Sequence, residues 1–340
     1  MKKLVLSLLM ISMVFIVVTT FLVLESTKKF DGWAEDPIST IAPTSVPFQP
    51  HRFVFLADSR GNDGGINKQV LSKLLKKIKK LSPQPEYIIF GGDLITGSKD
   101  VNEYKSQLKA FNKCFTKYFP IEKLLPVFGN HEEYSSTEDL THEKIFGQSF
   151  SEFASTSQLK GYNRTVYSVD ISDVRLVVLN AYHVGETDEI ANAQKKWFSN
   201  ISKGKIASQM RKIVFIHTPP FPTGGHVGSS LDMFPKERDA FWQIIDNSNY
   251  VALFCGHEHI YSRRIIDHSF NPLFKKSVNQ VIAGAAGAIS MDPPFLSKKG
   301  VIVPPKSIFH FVVIDVKEKE TNVRAISIKG KVIDKFTVAN

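Results

Sequence analysis

Cysteine is nearly absent from this sequence: Cys114 and Cys255 are the only two in 340 residues. They stand far apart and match no metal or redox spacing, which excludes a disulfide framework or a cysteine-based metal module as the basis of the fold. Apolar neighbours, Phe111 and Phe115 around the first and Leu253 and Phe254 before the second, predict two buried free thiols. Neither a Gly-x-Gly-x-x-Gly nor a Walker pattern occurs, which removes the phosphate-cradling loops of nucleotide-binding folds. Clustered aromatic and basic residues are lacking as well, so the formal net charge of +10 is not read as a nucleic-acid footprint.

What is present fits an ordinary folded domain, since 43% of the residues are apolar and 22% charged. The positive balance favours anionic partners such as phosphate esters or acidic lipids. Lys73, Lys76, Lys77, Lys79 and Lys80 are read as the solvated face of a helix. At the N-terminus, Lys2 and Lys3 precede an apolar stretch from Leu4 to Leu24. A bilayer-spanning helix needs about 20 such residues. No Ala-x-Ala cleavage pattern follows, so residues 1–25 are expected to form an uncleaved single-pass anchor with the rest of the chain outside the cytoplasm; cleavage would instead give a secreted protein. Residues 26–50, with Pro37, Pro43, Pro47 and Pro50 among Ser and Thr, read as an extended tether. The folded domain is expected over 51–340.

Within that domain, short runs rich in Val, Ile and Phe alternate with helical periodicity, the pattern of an α/β protein. Strands are predicted at Arg52–Ala57, Tyr87–Phe90, Leu125–Phe128, Lys212–Ile216 and Tyr250–Cys255, with helices near Ile66–Leu81 and Val101–Tyr118. Thr165–Ile171 and Val174–Asn180 read as a hairpin, and the stretches 278–283 and 308–338 as strands without a helix. Five of the predicted strands end in polar residues: Asp58, Asp93, Asn130, His217, and the pair His257 and His259. Alone, each is readily a turn residue, a helix cap or a structural histidine. Together they are oxygen and nitrogen donors at strand ends, where the ligands of α/β sheets gather.

Their order, Asp58-Ser59-Arg60, Gly92-Asp93, Gly129-Asn130-His131-Glu132, His217, and Gly256-His257-Glu258-His259, resembles the calcineurin-like metallophosphoesterase superfamily. The resemblance runs from about Phe53 to Tyr261. It implies a four-layer α/β/β/α sandwich of two mixed sheets flanked by helices. It also implies a two-metal site of Asp58, Asp93, Asn130, His217, His257 and His259, with Asp93 bridging the ions and His131 facing the leaving oxygen as charge stabiliser or general acid. Such donors suit Mn²⁺, Fe, Zn²⁺ or Co²⁺, and a metal pair supplies a hydroxide nucleophile at neutral pH. The implied function is hydrolysis of phosphate mono- or diesters or of pyrophosphate bonds on a phosphorylated substrate.

The first motif departs from the family pattern. Where that pattern ends in a ligating His, this chain has Arg60, which stays protonated and cannot ligate. Either Asn62 or another group fills the position, or one ion is held firmly, or Arg60 grips the substrate phosphate through its guanidinium fork. The same departure is the support for a second reading, a catalytically impaired, membrane-tethered module that binds phosphorylated ligands. The Gly-Asp motif continues as Leu94-Ile95-Thr96-Gly97 without a further acid, so His131 is expected to be oriented by a carboxylate elsewhere. His183 and His226 read as surface or supporting histidines. Gly284–Gly287 reads as close backbone packing near the site.

Overall fold

Strands β1 (His51–Leu56), β3 (Tyr87–Phe90) and β4 (Leu124–Pro126) form around short apolar runs, Phe53–Leu56 in β1, as expected for strands covered on both faces. They lie parallel to one another. In the computed structural model, which describes residues 50–133, 139–288 and 293–339, the sheet continues antiparallel through β13 (His310–Val316), β14 (Glu320–Ser327) and β15 (Val332–Ala339). Its order is β15-β14-β13-β1-β3-β4.

A second sheet has eight strands. Its parallel centre is β7 (Val174–Val178), β8 (Arg211–Phe215), β9 (Tyr250–Cys255) and β11 (Val278–Ala283). Antiparallel strands extend both sides: β6 (Tyr167–Ile171) and β5 (Ser157–Gln158) beside β7, and β10 (Tyr261–Ile266) and β12 (Val301–Lys306) beside β11. A short strand β2 (Arg60–Asp63) stands outside both sheets and bridges to Ile66.

The period-2 alternation of side chains sends neighbouring residues of β1 into two cores. Phe53 and Phe55 join Ile89, Leu125, Phe215, Phe254 and Ile314 between the sheets. Phe55 alone meets Phe215 and Phe254 of the opposite sheet, each at 5.7 Å between ring centroids. Val54 and Leu56 pack instead with residues of helices α1 (Lys68–Ile78) and α2 (Val101–Phe115), including Leu71, Leu74, Leu108 and Phe111. The second sheet has its own helical cover, in which α4 (Asn192–Ser202) and α6 (Pro235–Asp246) meet through Phe198 and Phe241 at 5.7 Å. The described residues also form two shorter helices, α3 (Thr141–Ser149) and α5 (Lys205–Gln209). The result is an α/β fold of two mixed sheets with flanking helices.

The expected anchor, residues 1–25, lies outside the described residues, as does the tether apart from Pro50. Among the described residues, no helix is long and apolar enough to cross a membrane. Cys114 and Cys255 are buried free thiols. Helix α3 and strand β5 lie between β4 and β6, and α6 lies between β8 and β9.

Candidate metal centre

Strands β1, β3 and β4 of one sheet and β8 and β9 of the other each end just before a polar loop, and these loops meet. Asp58 and Asp93 follow β1 and β3 in the left-handed backbone region, at φ 63° and 51°, and His257 follows β9 at 68°. Such conformations cost on the order of 1 kcal/mol or more for a non-glycine residue and gather at functional sites. Backbone bonds hold the turns: Asp58 N donates to Gly92 O at 3.0 Å, and His257 N donates to Asp58 Oδ2 at 3.1 Å. Close approach at this junction depends on glycine. A Cβ at Gly284 would lie 2.3 Å from Glu258 O and 2.7 Å from Asp58 Oδ2, which bears out the close packing expected of that stretch.

Asn130 Oδ1 lies 3.0 Å from His217 Nε2 and 3.0 Å from His257 Nδ1, and His217 Nε2 lies 3.2 Å from Asp93 Oδ1. His217 Nδ1 donates to Gly91 O at 2.7 Å, which leaves Nε2 as the lone-pair nitrogen. Burial pushes the His217 imidazole down to about 3, so it is neutral at ordinary pH. Three acceptor atoms therefore face one another with no proton to share, an arrangement that fits a cation. A further atom points the same way, since Asp58 Oδ1 is buried without a hydrogen-bond partner. Burial also lowers His257, with His217 and His226 adding to the effect.

The other half of the cluster is Asp58, Asp93 and His259, whose ligand atoms all lie within 4.8 Å of one another. His259 Nε2 is 3.5 Å from Asp58 Oδ1. Burial, and then the neighbouring Arg60 guanidinium, bring His259 down to about 4. Burial and the adjacent Asp93 carboxylate raise Asp58 well above the usual carboxylate range, partly offset by Arg60. Arg60 itself reaches into this half. Its Nη2 lies 3.3 Å from His259 Nε2 and its Nε 3.6 Å from Asp93 Oδ2.

His131 stands beside Asp93, with its N–H donating to Asp93 Oδ1 at 3.1 Å and its Nε2 3.8 Å from Asp93 Oδ2. The expected carboxylate partner is corrected here: His131 Nδ1 donates to the backbone carbonyl of Thr96 at 2.7 Å. Residue spacing carries no sign of this, because any residue supplies a carbonyl. Asn62 is exposed on β2.

Two buried acids hold the loops in place. Glu132 accepts the N–H groups of Asp93 and Gly129, both at 2.9 Å, and of Ile95 at 3.2 Å. Burial and Asp93 push Glu132 up to about 8, against three donors that favour its ionised form. Glu258 accepts from Thr223 N, Thr223 Oγ1, Gly224 N and His226 N at 2.6–3.2 Å. That clamp brings His226 over His257, their ring centroids 4.0 Å apart. His226 therefore reaches the cluster, while His183 pairs with Glu143 at 2.8 Å and stacks on Tyr162. Tyr182 was not singled out from the sequence, yet its ring lies 6.0 Å from that of His217 and its hydroxyl bonds Thr218 and Asp188.

Comparison with known proteins follows the same outline. A serine/threonine-protein phosphatase from Danio rerio, CPPED1, is 22% identical over 207 residues, covering 59% of this chain and 63% of that protein. This chain thus spans just under two thirds of that relative. Among solved structures, purple acid phosphatase PPD1 from yellow lupin (Lupinus luteus) superposes with a TM-score of 0.67 at 16% identity, over 86% of this chain and 54% of that one. A dimetal phosphatase from Danio rerio gives 0.58 at 13% identity, over 85% and 98%. The sequence profile described as calcineurin-like phosphoesterase matches residues 51–261, the span that carries every loop of the cluster, and the chain belongs to that family.

Proposed function

We propose that this chain is a metal-dependent phosphoesterase that hydrolyses phosphate mono- or diesters or pyrophosphate bonds. The observation that carries the reading is the meeting of His217 Nε2, Asn130 Oδ1 and Asp93 Oδ1 as mutually facing acceptors. Asp93, Asn130, His217 and His257 would hold a cation there, and Asp58, Asp93 and His259 form the adjoining donor group. Donors of this kind suit Mn²⁺, Fe, Zn²⁺ or Co²⁺, and the chemistry such a cation supplies is a hydroxide nucleophile at neutral pH together with neutralisation of phosphate oxygens.

The chain's own groups do the rest. His131, held by Thr96 O through Nδ1, presents Nε2 beside Asp93; once protonated, that nitrogen donates toward the leaving oxygen. Arg60 supplies a permanent positive charge on the same side of the cluster. Glu132 and Glu258 keep the loops in register so that neither His131 nor His226 must be ordered when substrate arrives. The N-terminal stretch Leu4–Leu24 adds the proposal that this domain is tethered to a membrane and works outside the cytoplasm; protease accessibility in intact cells tests it.

The purified chain, loaded in turn with Mn²⁺, Fe²⁺, Zn²⁺ and Co²⁺, is expected to hydrolyse p-nitrophenyl phosphate, bis(p-nitrophenyl) phosphate or pyrophosphate, and to lose that activity on chelation. Inactivity toward all three with metal bound refutes the hydrolytic reading.

A further inference from the structure

We infer that Arg60 takes the place of one of the two metal ions implied for this site, so that the centre holds a single resident ion, with Asp93, Asn130, His217 and His257, beside a fixed guanidinium. The inference rests on the metal-centre reading above and specifies it.

The two halves of the cluster differ in what faces their acceptors. His217 Nε2, Asn130 Oδ1 and Asp93 Oδ1 face one another with no side-chain cation among them. In the other half, the guanidinium supplies what a cation would. Nη2 donates to His259 Nε2 at 3.3 Å, occupying the lone pair that would otherwise bind metal, and Nε faces Asp93 Oδ2 at 3.6 Å. Guanidinium is protonated at every relevant pH and cannot step aside by losing its charge. A divalent ion brought among Asp58, Asp93 and His259 would meet that charge a few ångström away, and repulsion at such a separation weakens binding on the order of 100-fold or more. Arg60 is well placed to stay: it opens β2 only two residues after Asp58, and its Nε is buried.

The test is metal content, not turnover. Full-length chain dialysed against Mn²⁺ is expected to retain one ion per chain and to show the electron paramagnetic resonance spectrum of an isolated Mn²⁺. Arg60→His, which replaces the guanidinium with a neutral donor, is expected to retain two ions with a spin-coupled spectrum. Arg60→Ala is a second variant free of any new ligand, and should bind its second ion at least about 100-fold more tightly than the wild type. His259→Ala in the wild-type background should leave the count at one, whereas Asn130→Ala should abolish it. Two coupled ions in the wild type, or one ion in both Arg60 variants, overturns the inference. No ion in any of these proteins overturns the metal-centre reading and the inference with it.

Discussion

Glu132 accepts the backbone N–H of Asp93 at 2.9 Å, and through that bond the loop after β4 fixes the loop after β3. The pairing matters because Asp93 sits at φ 51° and would relax if its N–H were released. Glu132 belongs to the same four-residue motif as Asn130 and His131, so one short segment supplies a candidate ligand, a candidate acid and the brace beneath them.

Replacing Glu132 by Ala leaves the buried N–H groups of Asp93, Gly129 and Ile95 unpaired, each at a cost of about 1–3 kcal/mol. A fall in thermal midpoint is expected. Glu132→Gln keeps the shape and should preserve most of the stability while weakening metal affinity about 10- to 100-fold, the usual effect of losing an outer partner of a metal site. Calorimetric metal titration of both variants checks this; unaltered affinity in both would remove Glu132 from the site's support.

Glu258 does the same for the loop that carries His226. Glu258→Ala releases four hydrogen bonds to Thr223, Gly224 and His226, and should free His226 from its place over His257. The expected kinetic result is a change in KM and kcat together, with the metal content unchanged, as for a loop that positions groups on the substrate. His226→Ala should reproduce the kinetic change without the loss of stability.

His310 gives the fold an acid sensitivity of its own. It is fully buried, its Nδ1 donates to Ile308 O at 2.7 Å, and its Nε2 has no hydrogen-bond partner. Burial brings it down to about 4 from the ordinary histidine value of 6.5. A histidine whose folded value is depressed binds more protons when unfolded, so its contribution is intact above about pH 6.5 and is lost as the pH falls toward 4. The full loss is up to about 3 kcal/mol. Denaturant midpoints measured from pH 7 to 4.5 should fall more steeply for the wild type than for His310→Phe. Histidines of the metal centre titrate in both proteins and cancel in the comparison.

Phe55 is the central peg between the sheets, stacked on Phe215 and tilted against Phe254. Gly91 leaves room for it, since a Cβ there would lie 2.3 Å from Phe55 Cζ. Phe55→Ala is expected to cost about 3–5 kcal/mol in equilibrium unfolding. Gly91→Ala should also destabilise, through overpacking.

The positions of many strands were open to reading because buried parallel strands are uninterrupted apolar runs; Tyr250–Cys255 and Tyr87–Phe90 are examples. Other strands were hidden by residues that only a partner explains. Strand β10 carries Arg263 and Arg264, whose charges read as surface until Asp334, far along the chain, is seen to accept from Arg263 at 2.6 Å. Strand β12 contains Pro304 and Pro305, tolerated because it lies at the sheet edge, where missing N–H donors leave no gap in a ladder.

The sequence by itself determined which residues stand at the strand ends, because hydrophobic period and turn chemistry are local and survive in one dimension. It thereby placed Asp58, Asp93, Asn130, His217, His257 and His259 in a family and in an order. Tertiary structure alone decided that His131 leans on a carbonyl, that Glu258 folds His226 over the cluster, and that Arg60 fills the space between His259 and Asp93. Those outcomes depend on distances between loops that are up to 199 positions apart in the chain, as for Arg60 and His259, and on which lone pairs burial leaves without a proton. Neither quantity has a signature in residue spacing.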